Sequence, residues 1–274
     1  VVQTISSYEC GDGVSFFGAE DGSIDLTVSG GSEPYIFAWT ATNGFTSDQQ
    51  NLENIAAGIY SLIMTDNNGC EFSINDIEIT QPDVLTAVQT ISEYACGYGI
   101  SCFGECNGDI SLEVSGGCQP YEYSWTGPDG FVSIEKDITG LCAGIYNVII
   151  TDNNGITFPI ESIEITEPLE FIVEETVLPY NDYQISCFGE SDGAIVLSPE
   201  GGCEPYTYSW TGTGDFTSTN QNIENIPAGT YSVSITDNNG CIFSINDIEI
   251  TESDQLTVVQ TISSYECGDG VSFF

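Results

Sequence analysis

Histidine and arginine are missing from this 274-residue chain, and lysine occurs once, at Lys136. Without imidazole there is no Ser–His or Cys–His pair. A single lysine cannot clamp phosphoryl groups, and it cannot provide a Lys–Asn isopeptide staple in each of several domains. No apolar run reaches the roughly 18 residues that a membrane-crossing helix needs. Against these absences stand 42 acidic residues and a net charge of −41. Such a chain cannot neutralise phosphates, which excludes nucleic acid and anionic lipid as partners. Its self-repulsion should keep it soluble and extended, most strongly at low salt. Residue types alone leave carboxylate-pair hydrolysis open. No acidic pair stands out, however, and one active site sits badly with near-identical copies. No enzyme is expected.

The copies are explicit. Tyr60–Thr80 (YSLIMTDNNGCEFSINDIEIT) returns as Tyr146–Thr166 and as Tyr231–Thr251. Each joins two alternating apolar runs through Thr-Asp-Asn-Asn-Gly, the signature of a β-hairpin with one buried face. Tyr60, Leu62 and Met64 face inward before the turn, and Phe72 and Ile74 after it. The three-residue step from Ile74 to Ile77 predicts a bulge at Asn75-Asp76. Phe17, Phe103, Phe188 and Phe274 are spaced by 86, 85 and 86 residues. Val1–Phe17 recurs unchanged as Val258–Phe274, so a 257-residue unit of three domains begins again. The chain reads as a window cut from a longer array.

Repeat two shows the plan. Ile110, Leu112 and Val114 alternate with polar residues, Gly116-Gly117 turns the chain, and Tyr121, Tyr123 and Trp125 share one strand face. About seven short strands per repeat predict an all-β fold of tandem Ig-like β-sandwich domains in an extended array. Trp39, Trp125 and Trp210 are read as core residues, the alternative being a sugar-stacking platform. The turns Glu20-Asp21-Gly22, Asn107-Gly108-Asp109 and Ser191-Asp192-Gly193 could hold Ca²⁺, but they vary between copies and lack EF-hand spacing. No cofactor is expected beyond that.

Eleven cysteines with no histidine and no C-x-x-C do not suggest zinc. Positions that gain and lose Cys together predict five bridges: Cys70–Cys96, Cys102–Cys118, Cys106–Cys142, Cys187–Cys203 and Cys241–Cys267. Cys10 is left over, with its partner expected upstream of residue 1. The Cys70–Cys96 pair implies that the chain folds back at Gln81-Pro82-Asp83, making the strand before Cys96 the last of its domain. Residues 1–12 are then the last strand of a preceding repeat, 13–97, 98–182 and 183–268 are three sandwiches, and 269–274 start the next. If that strand instead opens the following domain, the boundaries move to about 82, 167 and 252, and the bridge clips neighbours together. Disulfides imply an oxidising, extracellular site.

SCFGESDGAIVLSPEGGCEPYTYSW (Ser186–Trp210), PAGTYSVSITDNNGC (Pro227–Cys241) and IEIT (Ile248–Thr251) together resemble the SprB-type repeat of gliding-motility surface adhesins. The first repeat departs from the pattern at Phe16 and the second at Ile156. The resemblance implies a type IX secreted, cell-surface filament that adheres to substratum or polysaccharide, with its motor or outer-membrane anchor elsewhere in the protein. Carried over directly, the pattern would pair Cys187 with Cys241, but the joint gain and loss of cysteines among the three copies argues against that pairing. The function expected is a structural stalk segment of a very large adhesin. The alternative is a repeated glycan- or Ca²⁺-binding module.

Overall fold

The computed structural model describes residues 1–262. Seven strands form the first domain: β1 (Val2–Ile5), β2 (Gly22–Thr27), β3 (Ile36–Ala41), β4 (Thr46–Ser47), β5 (Leu52–Ile55), β6 (Gly58–Thr65) and β7 (Glu71–Ile79). The second has β8 (Thr86–Ile91), β9 (Gly108–Ser115), β10 (Glu122–Thr126), β11 (Val132–Ser133), β12 (Ile138–Leu141), β13 (Gly144–Thr151) and β14 (Thr157–Ile165). The third has β15 (Ile172–Val177), β16 (Gly193–Glu200), β17 (Thr207–Gly212), β18 (Phe216–Ser218), β19 (Ile223–Ile226), β20 (Gly229–Thr236) and β21 (Ile242–Ile250). Each domain pairs a three-stranded sheet, β1-β2-β5 in the first, with a four-stranded one, β4-β3-β6-β7. All pairings are antiparallel. This is the order of an Ig-like sandwich. By compactness the chain divides into Val1–Pro168, which holds the first two domains, and Leu169–Phe274.

The alternation read in the sequence places the cores. Tyr60, Leu62 and Met64 of β6 are buried while Ile59 and Ile63 face out. The pairing of β6 with β7 slips between Tyr60 and Leu62, with Asp76 at φ 59°, so the bulge forms where the Ile74–Ile77 step puts it. Phe72 corrects the expectation of an inward face: it is 45% exposed. β7 is an edge strand, and only its inner end, at Ile77 and Ile79, reaches the core. The counterpart Phe243 is better covered because Phe171, just before β15, packs on it at 5.9 Å.

Trp39, Trp125 and Trp210 are each 1% exposed at the centres of the three cores. Each indole N–H donates to a backbone carbonyl: Gln49, Glu135 and Asn220. Tyr60, Tyr146 and Tyr231 are buried just after the preceding strand ends, and each hydroxyl donates to the carbonyl four residues back. That is the tyrosine corner of Ig-like domains.

The domain boundaries need correction. The strand before Cys96 is β8, and it pairs with β9 from Thr86↔Ser115 to Ile91↔Ile110. It therefore opens the second domain rather than closing the first. β1 likewise pairs with β2, and β15 with β16. Residues 1–12 thus belong to the first domain. Gln81-Pro82-Asp83 is not a hairpin turn but the linker by which the chain leaves the edge strand β7 to start a new sandwich. The divisions fall near 82 and 168, as in the alternative reading. Residues 263–268 of the expected third sandwich and all of 269–274 lie outside the described residues.

Candidate functional site: the junction between successive repeats

Within Val1–Pro168, β7 ends at Ile79 and β8 begins at Thr86, so the main chain passes between the first two domains through residues 80–85. The linker lies directly on the second domain's Gly-Gly loop, where the Gly117 N–H donates to the Asp83 carbonyl (2.8 Å). A Cβ on Gly116 would stand 1.9 Å from the Val84 carbonyl oxygen, so only glycine fits at this φ of +71°. A cavity of about 140 Å³ opens beside the linker, lined by Phe16 and Phe17 of the first domain and by Gly117, Asp152 and Ile156 of the second. The Asn154 side-chain amide crosses to the Ser15 carbonyl (2.6 Å).

A disulfide closes this junction. Cys10 is bonded to Cys118, with Cα atoms 5.5 Å apart and 108 residues of chain between them. Cys106–Cys142 joins two loops of the second domain, with Cα atoms 4.0 Å apart. Several expected pairings are therefore corrected. Cys10 needs no partner upstream, and Cys118 is not bonded to Cys102. Cys70 and Cys187 are free and exposed, which removes Cys70–Cys96 and Cys187–Cys203. Cys96, Cys102, Cys203 and Cys241 are each in disulfides. Cys267, expected to bond Cys241, lies outside the described residues. The physical reason is the boundary shift: once Cys10 and Cys96 sit at the start of their domains, the chain does not fold back to bring Cys96 beside Cys70.

The Asp of each Thr-Asp-Asn-Asn-Gly turn does more than shape its hairpin. Asp152 is 4% exposed and accepts from Asn154 and Ile156 N–H with Oδ1 (3.0 and 2.8 Å) and from Cys118 N–H with Oδ2 (2.9 Å). Asp237 makes the same set to Asn239, Cys241 and Cys203. Asp66 takes the Asn68, Cys70 and Ser32 amides. The Cys70 and Ser32 amides hold the Asp66 carboxyl below the usual carboxylate range, against a weaker upward push from burial. Sequence reasoning missed this latch between hairpin tip and Gly-Gly loop. Its signal is the constant 34-residue interval in all three copies.

The acidic turns close their own loops. Asp21 accepts from the Ser15 amide (3.0 Å) and hydroxyl (2.5 Å), and Asp192 from the Ser186 amide (3.1 Å). In the second domain Asn107 takes the same place, accepting from the Ser101 amide (3.1 Å). For Asp21, burial pushes the pKa up but the Ser15 bonds outweigh it and the net shift is down. Among the described residues no group of three or more Asp, Glu or Cys is placed to hold a metal ion. No helix among them is long and apolar enough to cross a membrane.

The SprB repeat family model matches at three places, residues 16–44, 100–130 and 183–215. Each match spans the loop at Phe16, Cys102 or Cys187 and the buried tryptophan that follows. No curated protein matches the chain. Among solved structures, extracellular domains 3–5 of Drosophila OTK align over 86% of this chain and 93% of their own, at 11% identity and TM-score 0.29. A tetra-tandem repeat from the extending region of a large adhesion protein aligns over 89% of this chain and 72% of its own, at 12% identity and TM-score 0.26.

Proposed function

From three SprB repeats in one chain, we propose that this protein is a load-bearing stalk segment of a repetitive cell-surface adhesin, serving gliding motility and surface attachment. The observation that carries the reading is the junction: two sandwiches joined by residues 80–85, packed without a flexible spacer, and closed by Cys10–Cys118. A disulfide between domains is of use where the chain is pulled and the surroundings are oxidising. The tryptophans that could stack on a sugar are instead at the core, with Trp39, Trp125 and Trp210 buried. In this reading the segment is not catalytic and needs no cofactor or Ca²⁺. The polysaccharide or substratum contact, the motor and the outer-membrane anchor lie elsewhere in the protein, and export is by type IX secretion.

Antibodies raised against the folded segment test the placement. Intact producing cells should label, and brief external proteolysis should remove the signal. Labelling only after permeabilisation would overturn the proposal. Calorimetric titration with Ca²⁺ and with polysaccharides should give no binding heat. A saturable heat per domain would shift the assignment to a binding module.

A further inference from the structure

The two free thiols occupy positions that meet across a junction elsewhere in the molecule. Cys187 is the third-repeat counterpart of Phe16, and Cys70 is the first-repeat counterpart of Ile156. In the junction within Val1–Pro168, Phe16 of the leading domain and Ile156 of the following one line a single cavity. Both positions are fixed by contacts that recur in the copies. The loop bearing Phe16 is pinned by the Gly18 N–H donating to Gln81 (2.9 Å), and the loop bearing Cys187 by Gly189 N–H donating to Glu252 (2.5 Å). At the hairpin tip, Ile156 N–H donates to Asp152 (2.8 Å) and Cys70 N–H to Asp66 (2.9 Å). Cys187 and Cys70 are thus held in the local frames of two residues that face one cavity.

The order of repeats provides the encounter. Val258–Phe274 restates Val1–Phe17, so the kind of domain that follows the Cys187 domain is the kind that carries Cys70. The other two cysteines at these positions, Cys102 and Cys241, are both in disulfides. Where the pair is Phe16 with Ile156 it is apolar on both sides, so no single thiol is stranded there.

We propose that Cys187 and Cys70 are the two halves of one inter-repeat disulfide, closed when a second copy of this chain follows the first in series. The bond runs from Cys187 of the leading copy to Cys70 of the trailing one. With oxidised glutathione as oxidant, one thiolate attacks its disulfide and releases one glutathione thiolate. The second cysteine thiolate then displaces the other. Two protein thiols lose two electrons and two protons, and one glutathione disulfide becomes two thiols. The inference concerns connectivity and stands apart from which surface the protein serves, so its failure would leave the cell-labelling result untouched.

The test is a chain in which residues 1–257 run directly into a second copy of residues 1–274, oxidised in a glutathione buffer and capped with iodoacetamide. It is then digested without reduction by a protease that cuts at acidic residues. The Cys10–Cys118 and Cys106–Cys142 peptides of each copy report folding. A peptide linking leading Cys187 to trailing Cys70 is expected, with leading Cys70 and trailing Cys187 capped. Cys187→Ser in the leading copy alone should return trailing Cys70 to the capped pool. Capping of both cysteines at the new junction overturns the proposal. So does a Cys70–Cys187 bond within one copy, or a trailing Cys70 that stays bonded in the serine variant.

Discussion

Asp152 accepts three amide hydrogens from two separate loops, and few side chains in the chain hold as much local structure. Two of the donors sit at the hairpin tip and the third, Cys118, is fully buried on the Gly-Gly loop. Asp152→Ala leaves those donors unpaired, and a buried amide without an acceptor costs more than the bond contributes when made. A loss of about 2–3 kcal/mol is expected in denaturant unfolding of the second domain, and a change indistinguishable from zero would remove the latch from the account. Asp66 carries a pH signature. Its folded pKa is depressed, so its contribution is fully present above the ordinary carboxylate value of about 3.9 and disappears as pH falls through the lower folded value. Parent and Asp66→Asn should therefore differ in stability at neutral pH and converge in acid. A gap that widens on acidification would reverse the assignment. The sequence offered this latch only as an invariant turn, because a hairpin already accounts for Asp-Asn-Asn-Gly and nothing local shows a carboxylate reaching 34 residues back.

At the level of elements, periodicity was enough for strands and for most faces, with Phe72 on the edge strand β7 the exception. The alternation in β6, the bulge at Asn75-Asp76 and the inward tryptophans follow from local pattern, since a pleated strand with one wet face must alternate. Strand ownership was not legible. β8 reads equally well as the return of a hairpin or the start of a sandwich, and only pairing with β9 decides. Three of the five expected disulfides failed for a related reason, whereas Cys106–Cys142, within one domain, is present. Cysteines that appear and vanish together within one repeat satisfy the same arithmetic when the partner sits one repeat further on, as Cys118 does for Cys10. That bridge spans 108 residues, and restricting so long a loop in the unfolded chain is worth about 4–5 kcal/mol. With Cys10→Ser and Cys118→Ser combined, the first two domains should lose their coupling. Calorimetry should then resolve two transitions where the oxidised parent shows one. A single transition in both proteins would mean that packing around residues 80–85 couples the domains without the sulfur.

For the whole molecule, the charge balance makes the response to salt unusually easy to predict. In most proteins added salt screens attractive and repulsive pairs together, and the two effects largely cancel. Here 42 acidic residues face one lysine, so almost nothing attractive exists to be lost. Screening should therefore stabilise. Raising ionic strength from about 0.01 M to about 0.15 M shortens the Debye length from about 30 Å to about 8 Å, which removes most long-range repulsion between carboxylates. Tm should climb across that range and then level off. Acidification also reduces the charge, but it protonates Asp21, Asp66 and Asp192, whose depressed pKa values mark them as bonded in their ionised form. Salt separates these two consequences, because screening acts on distant charges and leaves hydrogen bonds near 3 Å intact. Neutral pH with added salt should thus give higher stability than acid without it. A Tm that falls with salt would show that repulsion among surface carboxylates is not what the folded repeats are working against.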